Sequence, residues 1–294
     1  MQAAPFFSIV IPTYNRPRQL AACLGALARA DYRQDCFEVI VVNDGGPPHD
    51  ATIASFKDRL DLKLLDQPHA GPAAARNLGA TQARGALLVF TDDDCLPSVT
   101  WLSALARRCA DSDRAVGGRT LNALPDNPYS TASQLLIEYL YGYYNADRDR
   151  ARFLTSNNVA FPTALFHRVG GFDAAWPHAA AEDRDLCDRW LQNGFGMTYE
   201  TEGIVYHAHP LTLRSFLRQH FGYGLGAFWF HRLRAKRGQG PIEVEPLRFY
   251  CDLIKYPFVQ RQGLRAPLLA LLLAMTQLAN ATGYFWARRT LRAG

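Results

Sequence analysis

The chain has 294 residues, of which 48% are hydrophobic, and a formal net charge of +5 at neutral pH. It is long enough for one large domain or two smaller ones, and its composition argues against disorder. Six scattered cysteines without a CxxC pair argue against a disulfide framework or a zinc site and predict free thiols in a reducing compartment. The first residues, MQAAPFFSIVIP, have neither a basic segment nor a long apolar one, so we expect no secretory signal.

The first part of the chain alternates short apolar runs with segments of helical periodicity. Apolar runs ended by turn residues predict strands that are buried on both faces, as in a parallel sheet. The predicted strands are 7–11, 37–44, 62–65 and 86–91, and the predicted helices are 16–29, 51–60, 71–84 and 97–110. This alternation predicts a doubly wound, mostly parallel α/β sheet, in which ligands bind beyond the carboxyl ends of the strands. No GxGxxG follows the first strand, and no GxxxxGK[ST] occurs, which excludes the dinucleotide fingerprint and the P-loop.

The alternation breaks down after about residue 116. There we predict loops with one helix near 132–144, and then a strand and a short helix in SNNVAFPTALFHRVGGFD. An amphipathic helix is predicted to begin at Glu182, followed by one or two strands in MTYETEGIVYHAHP.

Two predicted strand ends carry carboxylates. The fourth strand runs into Asp92, Asp93 and Asp94, and the second strand ends at Asp44. Because like charges repel and burial raises carboxyl pKa values, we expect a positive partner beside the three adjacent aspartates. We expect both strand ends to line one crevice. A solvated acidic turn before the next helix is the alternative for the triplet.

Seven segments of the chain form an ordered set. They are SIVIPTYNR, VIVVNDGG, AGPAAARNLGA, FTDDDC, SNNVAFPTALFHRVGGFD, EDRDLCDRWLQNG and YHAHP. Each segment alone is weakly specific, but the set in this order resembles the family 2 glycosyltransferases of GT-A fold, over roughly residues 7–225. The resemblance implies a nucleotide-diphosphate sugar donor, with UDP-sugars favoured, a divalent cation (Mn²⁺ or Mg²⁺) and inversion at the anomeric carbon.

The resemblance implies a metal site at the acidic triplet. Asp94 would ligate the metal, Asp92 would face the ribose or share the metal, and Asp93 is counted with the donor-binding residues although it could point elsewhere. A hard cation there would hold the diphosphate and stabilise charge on the departing nucleotide. His207 would complete the metal site, with His209 in reserve; a packing or surface role is the alternative for either histidine.

Donor contacts outside the triplet follow from the same resemblance. Asp44 would bond the nucleobase, and Thr13 and Tyr14 would form the turn that contacts the base. Arg76 would reach the base or a phosphate. The alternatives are an Asx-turn at Asp44, ordinary loop packing at Thr13 and Tyr14, and a surface arginine at position 76.

The acceptor side is implied by the ED pair. Asp183 would be the general base that deprotonates the acceptor hydroxyl, and Glu182 would position the acceptor or the helix. Acids that favour a helix start are the alternative. Asn157 and Asn158 would meet the acceptor sugar and Trp190 would line the acceptor side; a turn and core packing are the alternatives.

The end of the chain is basic and rich in aromatic residues. Residues 211–294 hold 13 Lys and Arg against 3 Asp and Glu, a balance of +10, whereas residues 1–210 have a balance of −5. Residues 266–287 carry no charge and could cross a membrane, lie on its surface or be buried in a dimer. The basic and aromatic composition favours an anionic membrane surface, and no nucleic-acid module is recognisable.

These observations predict three regions and a function. Residues 1–115 would bind the nucleotide-sugar, 116–210 would be the acceptor-binding and catalytic half of the same domain, and 211–294 would be a helical tail. We expect a cytoplasmic glycosyltransferase, peripheral at the inner face of the cell membrane, that acts on a saccharide or lipid-linked saccharide in envelope or exopolysaccharide synthesis. Transfer to a polyprenyl phosphate and a non-catalytic sugar-nucleotide or polysaccharide-binding protein are the alternatives.

Overall fold

The protein is described from a computed structural model that covers residues 5–109, 113–175, 180–240 and 244–290. The described residues form one eight-stranded sheet together with α-helices. The strands are β1 (Phe7–Thr13), β2 (Phe37–Asp44), β3 (Leu62–Gln67), β4 (Leu87–Thr91), β5 (Cys95–Pro97), β6 (Arg114–Asn122), β7 (Asn158–Pro162) and β8 (Gly196–His207). The helices are α1 (Pro17–Leu27), α2 (Asp50–Ala54), α3 (Pro72–Thr81), α4 (Trp101–Arg108), α5 (Pro128–Tyr144), α6 (Thr163–Val169), α7 (Glu182–Gln192), α8 (Leu213–Lys236), α9 (Leu247–Val259) and α10 (Ala266–Thr290).

The sheet is mixed, with strand order β3-β2-β1-β4-β7-β6-β8-β5. Strands β3, β2, β1 and β4 are parallel to their neighbours in this order. Strand β7 is antiparallel to both β4 and β6, and β5 is antiparallel to β8. The predicted α/β architecture is confirmed, and the predicted parallel arrangement holds for the half of the sheet that begins the chain.

Two local predictions were wrong. The segment from residue 116 was expected to be loop, but β6 extends to Asn122. The strand was missed because glycine is depleted in strands and this segment contains two glycines in a row. Gly118 is suited to its place because a Cβ atom there would clash with a β8 carbonyl oxygen and with the Asn158 side chain. The helix predicted to begin at Pro97 begins instead at Trp101, because residues 95–97 pair with β8.

A buried apolar core lies behind the strand ends of the parallel half. Every residue of β1, β2 and β4 is buried, with Ile9, Val39 and Val89 fully inaccessible to solvent. Helices α1 and α4 cover the sheet with residues such as Leu24 and Trp101. Each such side chain contributes about 1.5–3 kcal/mol on burial, so this core is well able to hold polar residues in place at its edge.

The chain divides into two compact units. The first contains the described residues of 1–121, 144–177 and 182–208, and the second those of 122–143, 178–181 and 209–294. The second unit consists of α5, α8, α9 and α10, packed through apolar residues such as Phe216, Leu253, Leu269 and Leu273. The assignment of separate roles to 1–115, 116–210 and 211–294 stays a prediction.

Two further predictions concern single features of the chain. All six cysteines are free thiols in the structure. The segment Gly263–Thr290 is long and apolar enough to cross a membrane, judged by its length and composition.

Candidate functional site

Each aspartate of the triplet Asp92–Asp94 has a cationic partner within the first unit. The triplet forms the turn after β4. Arg76 Nη2 donates to Asp92 Oδ1 at 2.6 Å, and Arg16 Nη1 donates to Asp93 Oδ1 at 3.2 Å and to Asp94 Oδ2 at 2.9 Å. Burial raises the pKa of Asp93 to about 6, opposed by the charge of Arg16 and assisted by that of Asp94.

His207 lies beside the last aspartate of the triplet. Strand β5 pairs with β8 so that Cys95 stands opposite His207, which brings His207 Nε2 to 3.2 Å from Asp94 Oδ1. Burial lowers the pKa of His207, but the hydrogen bond to Asp94 and its charge outweigh this, so the pKa is raised. His209, the reserve candidate, belongs to the second unit, where its Nε2 lies 3.0 Å from Gln219 Oε1.

The side-chain atoms of Asp94 and His207 suit a divalent cation as ligands. Two ligand atoms at adjacent octahedral positions, each about 2.1 Å from the ion, lie about 3 Å apart, which is close to the separation of Asp94 Oδ1 and His207 Nε2. An imidazole next to a carboxylate is better suited to Mn²⁺ than to Mg²⁺, which prefers oxygen ligands.

One buried arginine joins the acidic triplet to the ED pair. The Arg76 side chain is 4% exposed, and it contacts Glu182 Oε1 through Nη1 at 3.2 Å as well as Asp92 through Nη2. Asp183, the next residue, is partly exposed, and its Oδ1 accepts a hydrogen bond from the backbone N–H of Arg184 at 2.7 Å. Burial, with the charge of Glu182, raises the pKa of Asp183 to about 7, against the opposing charge of Arg76.

The structure gives Asp44 a full set of partners from its own chain. Its Oδ1 accepts hydrogen bonds from Gln67 Nε2 at 2.6 Å and from the backbone N–H of Ala70 at 2.8 Å. Its Oδ2 accepts from the backbone N–H of Gly71 at 2.9 Å and lies 2.9 Å from His69 Nδ1. Because a carboxylate has about four acceptor positions, a nucleobase N–H could bond Asp44 only by replacing one of these partners.

Tyr14 and His69 form an exposed stacked pair near Asp44. Their ring centroids are 4.4 Å apart, with the Tyr14 residue 44% exposed and the His69 side chain 58% exposed. Thr13, the other predicted base contact, donates its hydroxyl to Asp93 Oδ2 at 2.8 Å. Thr13 is therefore tied to the triplet, whereas Tyr14 is open to solvent.

The predicted acceptor residues lie in different environments. Asn158 is completely buried, accepts from Trp101 Nε1 at 2.8 Å and donates to backbone carbonyls of β6 and β8. Trp190 is also completely buried and packs against Phe161, which favours the core-packing alternative for this residue. Asn157 is partly exposed and accepts from two threonine hydroxyls, at 2.8 and 3.4 Å.

Two residues of this region were not singled out from the sequence. Arg16 closes the SIVIPTYNR segment and lies directly before α1, so its place just after a strand end was an available signal. His69 lies between β3 and α3, in the segment QPHAGP, where nothing in the local pattern marks it.

Comparison with known proteins shows the family of this chain. The model of Glycosyl transferase family 2 matches residues 8–170, more than half of the chain, and that of Glycosyl transferase family group 2 matches residues 91–288. Glycosyltransferase AglE of Haloferax volcanii is 37% identical, over 76% of this chain and 73% of its own length. The chain belongs to glycosyltransferase family 2. Members of this family are transferase enzymes, as the sequence predicted.

Other relatives agree with this assignment. Validoxylamine A glucosyltransferase of Streptomyces hygroscopicus subsp. limoneus is 31% identical over 83% of this chain. The chain spans 63% of the length of that relative.

Solved structures confirm the GT-A fold. The mannosyltransferase PcManGT from Pyrobaculum calidifontis, solved with GDP-Man and Mn²⁺, superposes with a TM-score of 0.68 at 17% identity, over 97% of this chain and 88% of its own. Staphylococcus aureus TarS 1–349 in complex with UDP-GlcNAc gives a TM-score of 0.54 at 18% identity, over 97% and 92% of the two chains.

Proposed function

We propose that this protein is an inverting glycosyltransferase that moves a sugar from a nucleotide-diphosphate donor to a hydroxyl group of a saccharide or lipid-linked saccharide. The observation that carries the proposal is the position of Arg76, whose guanidinium contacts Asp92 of the triplet and Glu182 of the ED pair. One site therefore contains carboxylates suited to a metal-bound diphosphate and carboxylates suited to an acceptor. Relatives solved with GDP-Man and with UDP-GlcNAc make both nucleotides candidates.

Asp183 is proposed as the general base. A carboxylate with a pKa of about 7 can accept the proton of an attacking hydroxyl near neutral pH. The acceptor oxygen would bond to the anomeric carbon while the bond from that carbon to the phosphate oxygen breaks, and the hydroxyl proton would pass to Asp183. Glu182, held by Arg76, keeps negative charge beside Asp183 and thereby raises its proton affinity.

Asp94 and His207 are proposed as metal ligands, with Asp92 next to them. When bound there, a divalent cation such as Mn²⁺ would neutralise the donor diphosphate and stabilise the departing nucleotide. Arg16 contacts Asp94 through Oδ2, whereas Oδ1 is the oxygen that faces His207. Thr13 and Arg16 hold Asp93, so Asp93 is proposed to position the triplet rather than to touch the donor.

Tyr14 is proposed to stack on the nucleobase, with Asp44 at the base edge. For Asp44 to accept a base N–H, His69 is the partner that can leave, because it is largely exposed while the other three partners are backbone or half-buried groups. Asn157 stays a proposed acceptor contact.

The experiment that tests the function needs no assumption about the acceptor. Purified protein is incubated with a panel of UDP- and GDP-sugars, with Mn²⁺, Mg²⁺ or EDTA, and release of the nucleotide diphosphate is measured. We expect metal-dependent release from one donor, abolished in Asp94→Ala and at least 100-fold reduced in Asp183→Asn. The exposed Asp58→Asn is the matched control for loss of a carboxylate and should behave as the unchanged protein.

Other outcomes separate the alternatives. No release from any donor, together with no nucleotide binding by calorimetry, would contradict the donor site. Nucleotide binding without release, across many acceptors, would favour a non-catalytic sugar-nucleotide-binding protein. An Asp183→Asn variant that is fully active in transfer to an added polyprenyl phosphate would favour that acceptor, which is already an anion and needs no base.

We further propose that the enzyme is cytoplasmic and peripheral at the inner face of the cell membrane. The proposal is supported by the basic, aromatic composition of residues 211–294.

A further inference from the structure

Helix α10 carries a largely apolar face with large side chains that are open to solvent. Leu268, Leu271, Leu278 and Phe285 recur at three- and seven-residue intervals and so lie on the same side of the helix. They are between 48% and 69% exposed. From Leu268 to Phe285 this apolar face is roughly 25 Å long at 1.5 Å per residue. An exposed apolar face of this size marks an interaction surface.

The opposite face of α10 is already occupied by helices of the second unit. Leu269, Leu272 and Leu273 are buried among residues of α5, α8 and α9. Helices α8 and α10 approach so closely at Gly224 and Gly283 that a Cβ atom on either glycine would clash with backbone of the other helix. Helix α10 is therefore apolar on both sides, and one of these sides packs against the other helices of its own unit.

Charge favours an anionic bilayer over a second copy as the occupant of the apolar face. Exposed Arg261 and Arg265 precede the face, and exposed Arg288 and Arg289 follow it, while residues 266–287 carry no charge. If α10 packed on α10 of another copy, arginines would meet arginines in either direction, which is unfavourable. Lipid phosphates would meet both pairs favourably.

The surroundings of α10 also bear on whether it crosses the membrane. It packs more extensively against α8 than against any other described helix, and α8 carries Arg218, Arg232, Arg234 and Lys236. Crossing would carry these cations toward the hydrocarbon, where charged side chains are strongly disfavoured. Lying flat leaves them outside it and immerses the apolar face alone.

We infer that α10 lies along an anionic membrane surface, with the face formed by Leu268, Leu271, Leu278 and Phe285 inserted and the arginine pairs at its ends on lipid phosphates. This inference rests on the proposed peripheral location, and it names the surface that would contact the membrane. It assigns a docking surface to the second unit, distinct from the donor and base residues, all of which lie in the first unit.

The test is flotation of the full chain with vesicles of phosphatidylcholine alone or with about a third phosphatidylglycerol. We expect binding to the anionic vesicles, release at high salt or alkaline carbonate, and at least tenfold weaker binding for the triple variant Leu268→Gln, Leu271→Gln, Leu278→Gln. The double variant Arg288→Gln, Arg289→Gln should weaken binding several-fold, most at low salt. Exposed Val99→Gln and Arg107→Gln in the first unit are the controls and should bind normally.

Three results would overturn the inference. They are undiminished binding by the triple variant, binding that resists alkaline carbonate, which indicates a span, and a solution dimer that the triple variant converts to monomer, which indicates a second copy. Donor turnover in vesicle-free solution is measured on the same preparations. It should be unchanged in the triple variant, so failure of the membrane inference can be distinguished from failure of the proposed activity.

Discussion

Arg76 is expected to set the pH range in which the enzyme works. Its charge lowers the pKa of Asp183, whereas the charge of Glu182 raises it. Because the base acts deprotonated, Arg76→Met should move the acidic limb of the kcat/KM profile to higher pH, and Glu182→Gln should move it to lower pH. We expect shifts of about one unit each, or about 1.4 kcal/mol, around a wild-type limb near pH 7.

The same substitution should destabilise the fold. Arg76→Met leaves Asp92 and Glu182 without the guanidinium that lies 2.6 and 3.2 Å from them. Removing one partner of a buried ion pair costs about 3–5 kcal/mol, and the 27% exposure of the Asp92 side chain keeps the total within that range. For a chain of this size that lowers the thermal midpoint by roughly 10 °C.

The assay is donor turnover from pH 5.5 to 9, with thermal unfolding of each variant measured alongside. In the double variant Arg76→Met, Glu182→Gln the two shifts should offset, and part of the lost stability should return because a buried unpaired charge is gone. Exposed Arg107→Met is the matched control and should keep the wild-type limb. Limbs that move in the same direction in both single variants, or not at all, would refute the coupling of Arg76 and Glu182 to the base.

Three further predictions concern single groups of the site. Asp183→Asn should reduce turnover at least 100-fold yet raise the thermal midpoint at pH 8, with no gain near pH 4. The reason is that a carboxyl whose pKa is raised to about 7 by folding makes the folded state less stable as pH rises through that value; an unchanged midpoint at pH 8 would argue against the raised pKa. The His69→Ala variant should bind the nucleotide a few-fold more tightly, as measured by calorimetry, because the substitution opens an acceptor position on Asp44. Weaker binding would mean that His69 itself contacts the base. His207→Ala should raise the Mn²⁺ concentration needed for half-maximal turnover at least tenfold, and an unchanged requirement would remove His207 from the metal site.

Much of the candidate site was predictable because strand ends are local features. The apolar runs before Asp44 and before Asp92 end in turn residues, and the parallel half of the sheet then brings these ends to one edge. The ED pair was predicted from its helix start and its resemblance to the family, and α7 does begin at Glu182. The partners of these carboxylates were not predictable in this way.

What the sequence by itself determined is the set of elements that short-range patterns encode: the buried strands, the family motifs and the acidic turns. Only the tertiary structure decided how the charges are paired, because Arg16 lies 77 and 78 residues from its carboxylates and Arg76 lies 106 residues from Glu182. It also placed Trp190 in the core, filled the acceptor positions of Asp44 and left one face of α10 exposed. Burial and pairing depend on which elements meet across the fold, and no local periodicity carries that information.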